Sequence, residues 1–178
     1  MKSTSQEYRE LQHSIGMTVT LISFGMMFAS LFLGYFLVRF NSPVWPPVEI
    51  AQLPKLLPLL STVVIGLSSL TYYWFEMKKR SSKWLVLTLV LGLLFLGLQW
   101  SLWAKMKEVG ILVSHGMVPS MVYAFSWLHA GHIVLGLFFL SWLLLRKMDQ
   151  DLWVKNVGKF WHFLGIIWLM MYLMLFVQ

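Results

Sequence analysis

Cysteine is absent from this chain of 178 residues. That excludes disulfides, thiolate metal sites, iron–sulfur clusters and cysteine nucleophiles within it. Acidic residues are almost as scarce: Asp and Glu together number 7. Glu7, Glu10, Glu49, Glu76, Glu108, Asp149 and Asp151 all fall outside the long apolar runs or at their ends. A proton pump or ion-coupled transporter needs a group near mid-membrane that binds and releases the ion, and that group is usually a carboxylate. None stands there. A proton or cation pathway of the chain's own is therefore not expected.

Charge of any kind is thin, at 12% of residues against 58% hydrophobic. Soluble domains carry about 25% charged residues. The composition is that of an integral membrane protein. The net charge of +7 does not point to nucleic acid, because the basic residues sit in short clusters between apolar runs. That is how topology signals are distributed.

About 20 consecutive apolar residues span a bilayer. Five stretches qualify: 15–40, 56–75, 84–103, 117–145 and 160–177. The expected fold is all-α, one membrane domain over 1–178 built as a bundle of five transmembrane helices. Connections are short, so consecutive spans should be antiparallel. Ten basic residues flank the side holding the N-terminus, among them Lys2, Arg9, Lys78, Lys83, Arg146, Lys155 and Lys159. Four flank the other side: Arg39, Lys55, Lys105 and Lys107. The positive-inside rule then places the N-terminus in the cytoplasm and the C-terminus outside. The N-terminal stretch MKSTSQEYRELQHS has neither the apolar core nor the cleavage site of a signal peptide. It also lacks a transit-like character, which favours a bacterial inner membrane. Trp45, Trp74, Trp84, Trp103, Trp153 and Trp161 lie near span ends, as interface anchors do. The segment NSPVWPPVEIAQLP, poor in helix formers because each Pro removes a donor, is expected to cap the outer side between the first two spans.

The histidines are the strongest candidates for chemistry. His13 is in the polar N-terminal stretch and His115 in an outer loop. His129 and His132 lie deep in the fourth span on one helix face. His162 opens the fifth span. Clamping a haem requires histidines on facing helices at equal depth. His132 stands roughly 20 Å from the cytoplasmic end of its span and His162 only about 5 Å in. A metal bound by His129 and His132 would want a third ligand, and no span carboxylate or cysteine offers one. Both are read as buried hydrogen-bonding histidines between helices or subunits; a metal or haem site and a proton relay remain as alternatives. Gln99 and the hydroxyls of Ser23, Ser61, Thr62, Ser68, Ser69, Thr71 and Ser126 suit interhelical hydrogen bonds. Gly25, Ala29, Gly92, Gly97 and Gly136 suit close packing.

Five strings then fall in order along the chain. FGMMFASLFLGYF in the first span resembles the third helix of cytochrome c oxidase subunit III. WPP and LPLLSTVVIGLSSLT resemble that family's outer loop and the helix after it. LGLLFLGLQW is similar to the next helix, with Gln99 at the family's Gln. WLHAGHIVLG carries His129 and His132 at its two histidine positions. KFWHFLGIIWLMMYL resembles its closing helix, matching Trp161, His162, Phe163, Trp168 and Leu169. The length is that of forms lacking the family's first two helices.

This resemblance implies a noncatalytic subunit of a respiratory haem–copper oxidase, which reduces oxygen to water with electrons from cytochrome c or quinol and pumps protons. Subunit III of that family holds no redox centre; haem and copper belong to partner subunits. It packs on catalytic subunit I beside subunit II, binds phospholipid, supports proton uptake and protects the enzyme during turnover; a respiratory supercomplex is a further expected setting. No catalytic, cofactor-binding or metal residue is expected here. His129, His132, Trp161, His162, Gln99, Ser23 and Trp45 are expected to serve packing, partner or lipid contact. Three family carboxylates are replaced, by Phe24, Leu102 and Gly165, and Phe24 is expected to face lipid tails. The rival readings are an independent haem b membrane cytochrome and a small transporter.

Overall fold

The computed structural model describes residues 4–43, 45, 54–78, 81–146 and 151–177. Five long helices form: α1 Thr4–Asn41, α2 Leu56–Met77, α3 Ser82–Glu108, α4 Met117–Arg146 and α5 Asp151–Leu175. Among the described residues there is no strand. Each helix is long and apolar enough to cross a membrane, as expected of a multi-pass membrane protein.

The helices outrun the apolar stretches that mark them. α1 begins eleven residues before Ile15, and α3 runs on through Lys105 and Lys107 to Glu108. The largest correction is α5, which starts at Asp151 rather than 160 and ends at Leu175. Its first turns hold Lys155, Asn156 and Lys159, so hydropathy hides them although their backbone is helical. The proline-rich cap expected between α1 and α2 lies largely outside the described residues.

Local chemistry sets the helix ends. Pro58 and Pro119 stand in the first turns of α2 and α4, where the missing N–H would have no intrahelical partner. α3 closes on Gly110, whose φ of 78° is left-handed. The Ile111 N–H then bonds back to the Met106 carbonyl at 2.9 Å, the Schellman pattern that glycine permits. At the α2–α3 turn Trp74 and Trp84 meet edge-on at 4.8 Å, with the Lys78 ammonium above both rings.

α2 and α3 pack as a hairpin, α4 packs on α3 and α5, and α5 also packs on α2. Among the described residues α1 packs only on α5 and α4. It runs parallel to α5: His13 meets Trp153 at one end, and the Tyr35 hydroxyl donates to the Met174 carbonyl at the other, 2.9 Å away. Leucines and valines such as Leu33, Val63, Leu93 and Val134 lie exposed around the outside. Lipid is as apolar as they are, so burial gains little, and close packing with interhelical hydrogen bonds must hold the helices together.

Candidate functional site: the polar and aromatic centre of the bundle

Trp161 is the centre of the bundle. It is 1% exposed, and its indole N–H donates to Ser68 Oγ on α2 at 3.2 Å. Its benzo ring lies against Gly92 of α3 and Gly136 of α4. A Cβ at either glycine would come within 2.9 Å of a ring carbon. One side chain of α5 thus touches three helices, and two glycines make the room. Ser68 Oγ in turn donates to the Thr88 carbonyl at 3.1 Å, and the Thr71 and Thr88 hydroxyls sit 2.9 Å apart.

Further pairs tie the helices at other levels. Gln99 Nε2 donates to Ser61 Oγ at 3.2 Å. Trp103 Nε1 donates to Ser126 Oγ at 3.0 Å, and Trp168 Nε1 to Thr62 Oγ1 at 3.1 Å. The Tyr72 hydroxyl donates to the Val154 carbonyl at 2.7 Å. His162 Nδ1 lies 2.5 Å from Ser69 Oγ, with the ring edge-on to Tyr72. The sequence marks these hydroxyls as a set but does not say which tryptophan, tyrosine or histidine each would meet.

The three span histidines do not converge. His162 does not open its helix; it stands eleven residues into α5 and faces α2. His129 is fully buried between Phe28, Phe95 and Trp168, with ring centroids 5.6–6.2 Å away. Trp168 is six residues beyond His162, so the two histidines differ in depth by about 9 Å. Neither ring nitrogen of His129 has a hydrogen-bond partner among the described residues. The bond expected of it between helices is not seen among the described residues. His132 is half-buried, and its Nδ1 donates to the Leu128 carbonyl of its own helix at 2.7 Å. No group of three or more His, Asp or Glu that could hold a metal occurs among the described residues.

Two other expected contact residues take simple positions. Ser23 is exposed and donates to the Val19 carbonyl one turn back. Trp45 packs edge-on against Tyr35 at 5.7 Å, under the Arg39 guanidinium. Phe24 corrects the expectation made for it. It is half-buried, edge-on to His132 at 4.6 Å and near Phe160, so it packs on the bundle rather than facing lipid. Gly165 lines a shallow pocket together with His162 and Ser69, and a Cβ there would be in ordinary contact with Ser69 Oγ at 3.8 Å. Leu102 is buried. Two of the three positions that resemblance assigns to carboxylates therefore adjoin a histidine.

With this geometry in hand, comparison with known proteins decides the family. The family model described as cytochrome c oxidase subunit III matches residues 6–178. The chain belongs to that family. Similar proteins include cytochrome c oxidase subunit 3 of Xenopus laevis, 29% identical over 166 residues, covering 82% of this chain and 63% of that protein. Cytochrome c oxidase subunit 3 of Bacillus subtilis (strain 168) is 28% identical over 166 residues, covering 86% of this chain and 80% of that protein. The probable cytochrome c oxidase subunit 3 of Rickettsia bellii (strain RML369-C) is 26% identical over 192 residues, covering 92% of this chain and 68% of that protein. The chain thus spans a little under two thirds of the length of the vertebrate relative. Within the family frame, Trp161 and His162 of the WHF string both bond to α2, at Ser68 and Ser69, while Trp161 also reaches α3 and α4; His129 and His132 have opposite surroundings, one sealed and one at the edge.

Proposed function

We propose that this protein is the noncatalytic subunit III of a respiratory haem–copper oxidase, resident in a bacterial inner membrane. The observation that carries the reading is the family match over residues 6–178. The interior supports it: hydroxyls, Gln99 and the buried tryptophans are engaged in joining helices to one another. The protein's task is to stabilise the catalytic subunit and support its proton uptake, while haem and copper reside in subunits I and II. The N-terminus is cytoplasmic and the C-terminus outside, on the strength of the basic residues at the ends of α2 to α5.

Phospholipid has a suitable place at the basic end. A cleft of about 260 Å³ there separates α1 from α4 and α5, between Met17, Phe139, Trp153, Asn156 and Phe160. Its floor is apolar, and Asn156 Oδ1 is buried without a partner among the described residues.

The test is purification of the tagged chain in mild detergent, with a reduced-minus-oxidised spectrum and identification of its companions. After stripping with harsher detergent the spectrum is repeated. Haem that enters with a large companion and leaves with it is the expected result. Haem retained by the stripped chain would overturn the reading in favour of a cytochrome, and absence of both haem and companion would favour a transporter. Single cysteines introduced at Ser5 and Val177, against a background without cysteine, should react with an impermeant maleimide from opposite faces of the membrane.

A further inference from the structure

The outer face of α4 carries a feature that lipid does not satisfy. Ala124, Trp127, Leu128, Gly131, His132 and Leu135 line an open groove of about 460 Å³. Most of it is apolar, as a lipid-facing surface should be. His132 is the exception. Its Nδ1 faces the Leu128 carbonyl, which can only accept, so Nδ1 carries the proton. In the neutral ring Nε2 is then an acceptor, and it has no hydrogen-bond partner among the described residues. Phe24 and Phe28, which flank the ring, offer none.

Depth decides what can reach it. His132 stands fourteen residues from Arg146 and fifteen from Met117, at the middle of α4. The ends are about 21 and 22 Å away at 1.5 Å per residue, whereas half the hydrocarbon core is about 15 Å. Acyl chains have no donor, lipid head groups lie too far off, and water is scarce at this depth. A protein donor is the remaining source. The groove is also lined by small residues, Ala124 and Gly131. Beside His132, a Cβ built on Gly131 meets nothing within 4 Å, and Ala124 lies seven residues earlier on the same side. Small residues at such a seam let two helix backbones approach closely.

We propose that this face of α4 docks a transmembrane helix of a neighbouring subunit, one that sets a small residue over Gly131 and donates an O–H or N–H to His132 Nε2. The proposal rests on membership of an oxidase complex and adds the face, the register and the chemistry of the contact. The donor is a serine, threonine, asparagine, glutamine, tyrosine or tryptophan within an apolar span.

The test uses the intact complex in native membranes. A photo-crosslinking amino acid replaces Leu128 or Leu135, one turn to either side of Gly131. Both positions should crosslink to the same partner helix, and the crosslinked peptide should lie in an apolar span bearing one of those donors. In parallel, His132→Phe should lower the oxidase haem co-purifying with the tagged chain about threefold to tenfold, the range for one interhelical hydrogen bond. His132→Gln, which keeps an acceptor, should restore most of it, with chain abundance equal in all variants. Lipid adducts alone at both positions, in preparations that retain haem, would overturn the proposal and leave the oxidase reading intact. So would equal haem retention by the Phe and Gln variants. Absence of haem and companions from the wild-type preparation would sink both together.

Discussion

The contact between Trp161 and its two glycines gives a quantitative prediction. A methyl group at Gly136 would stand 2.9 Å from two ring carbons of Trp161 and 3.2 Å from Leu164 Cδ1. Carbon atoms pack best at about 3.5–4.0 Å, so the overlap is at least about 0.6 Å. The indole has little freedom to yield, because its N–H is held by Ser68 and the other side of its ring abuts Gly92. Gly136→Ala should therefore cost about 1–3 kcal/mol, the range for forced overpacking, despite the higher helix propensity of alanine. Gly92→Ala should cost a similar amount. Trp161→Leu removes the obstructing ring and itself costs about 2–4 kcal/mol through the cavity it leaves. In that background Gly136→Ala should cost little, because the leucine side chain can move aside. The assay is reversible unfolding of the purified chain in mixed micelles, followed by helical circular dichroism, over the four members of the cycle. An equal cost of Gly136→Ala beside tryptophan and beside leucine would show that the ring contact is not the cause, and the central role given to Trp161 would fail.

Three further outcomes are expected. His129→Phe replaces a ring with two unpartnered nitrogens by one that suits its aromatic surroundings; the isolated chain should gain about 1 kcal/mol, the lower end of the cost of unsatisfied buried groups, and a clear loss in the same micelle assay would mean that His129 has a partner. Tyr72→Phe deletes the bond to the Val154 carbonyl and should cost about 0.5–1.5 kcal/mol, with no change in oxidase spectrum. Ser69→Ala should cost about the same by leaving His162 Nδ1 unpaired; a shifted haem spectrum in the stripped chain would instead make His162 a ligand.

The spans were legible in the sequence because bilayer thickness fixes the length of an apolar run, and the five runs are clean. Their ends were less so. Lys155, Asn156 and Lys159 depress hydropathy without disturbing the helix, so α5 starts nine residues before its apolar run. Partners were the least legible. Gln99 could be marked as an interhelical hydrogen bonder from its type, but that it meets Ser61 depends on the rotation of two helices about their axes. Phe24 shows the same limit: lipid and the edge of a histidine ring are both acceptable to phenylalanine, and only the packing of α1 on α4 chooses between them. The aromatic surroundings of His129 were not legible either. Its neighbours Phe28, Phe95 and Trp168 come from three helices that no local pattern brings together.

The position of α1 also bears on the order of synthesis. It is made before α2 to α5, yet it packs on α4 and α5. About 110 residues separate the end of α1 from the start of α5, which at about 5–20 residues per second is roughly 5–20 seconds of translation. During that interval α2 and α3 can close their hairpin, while α1 waits in the bilayer without its final neighbours. Its own hydroxyls suit it to the delay: Thr18, Thr20, Ser23 and Ser30 each donate to a carbonyl of the same helix. The nascent helix thus brings satisfied polar groups into the lipid and stays free to be captured when α5 arrives.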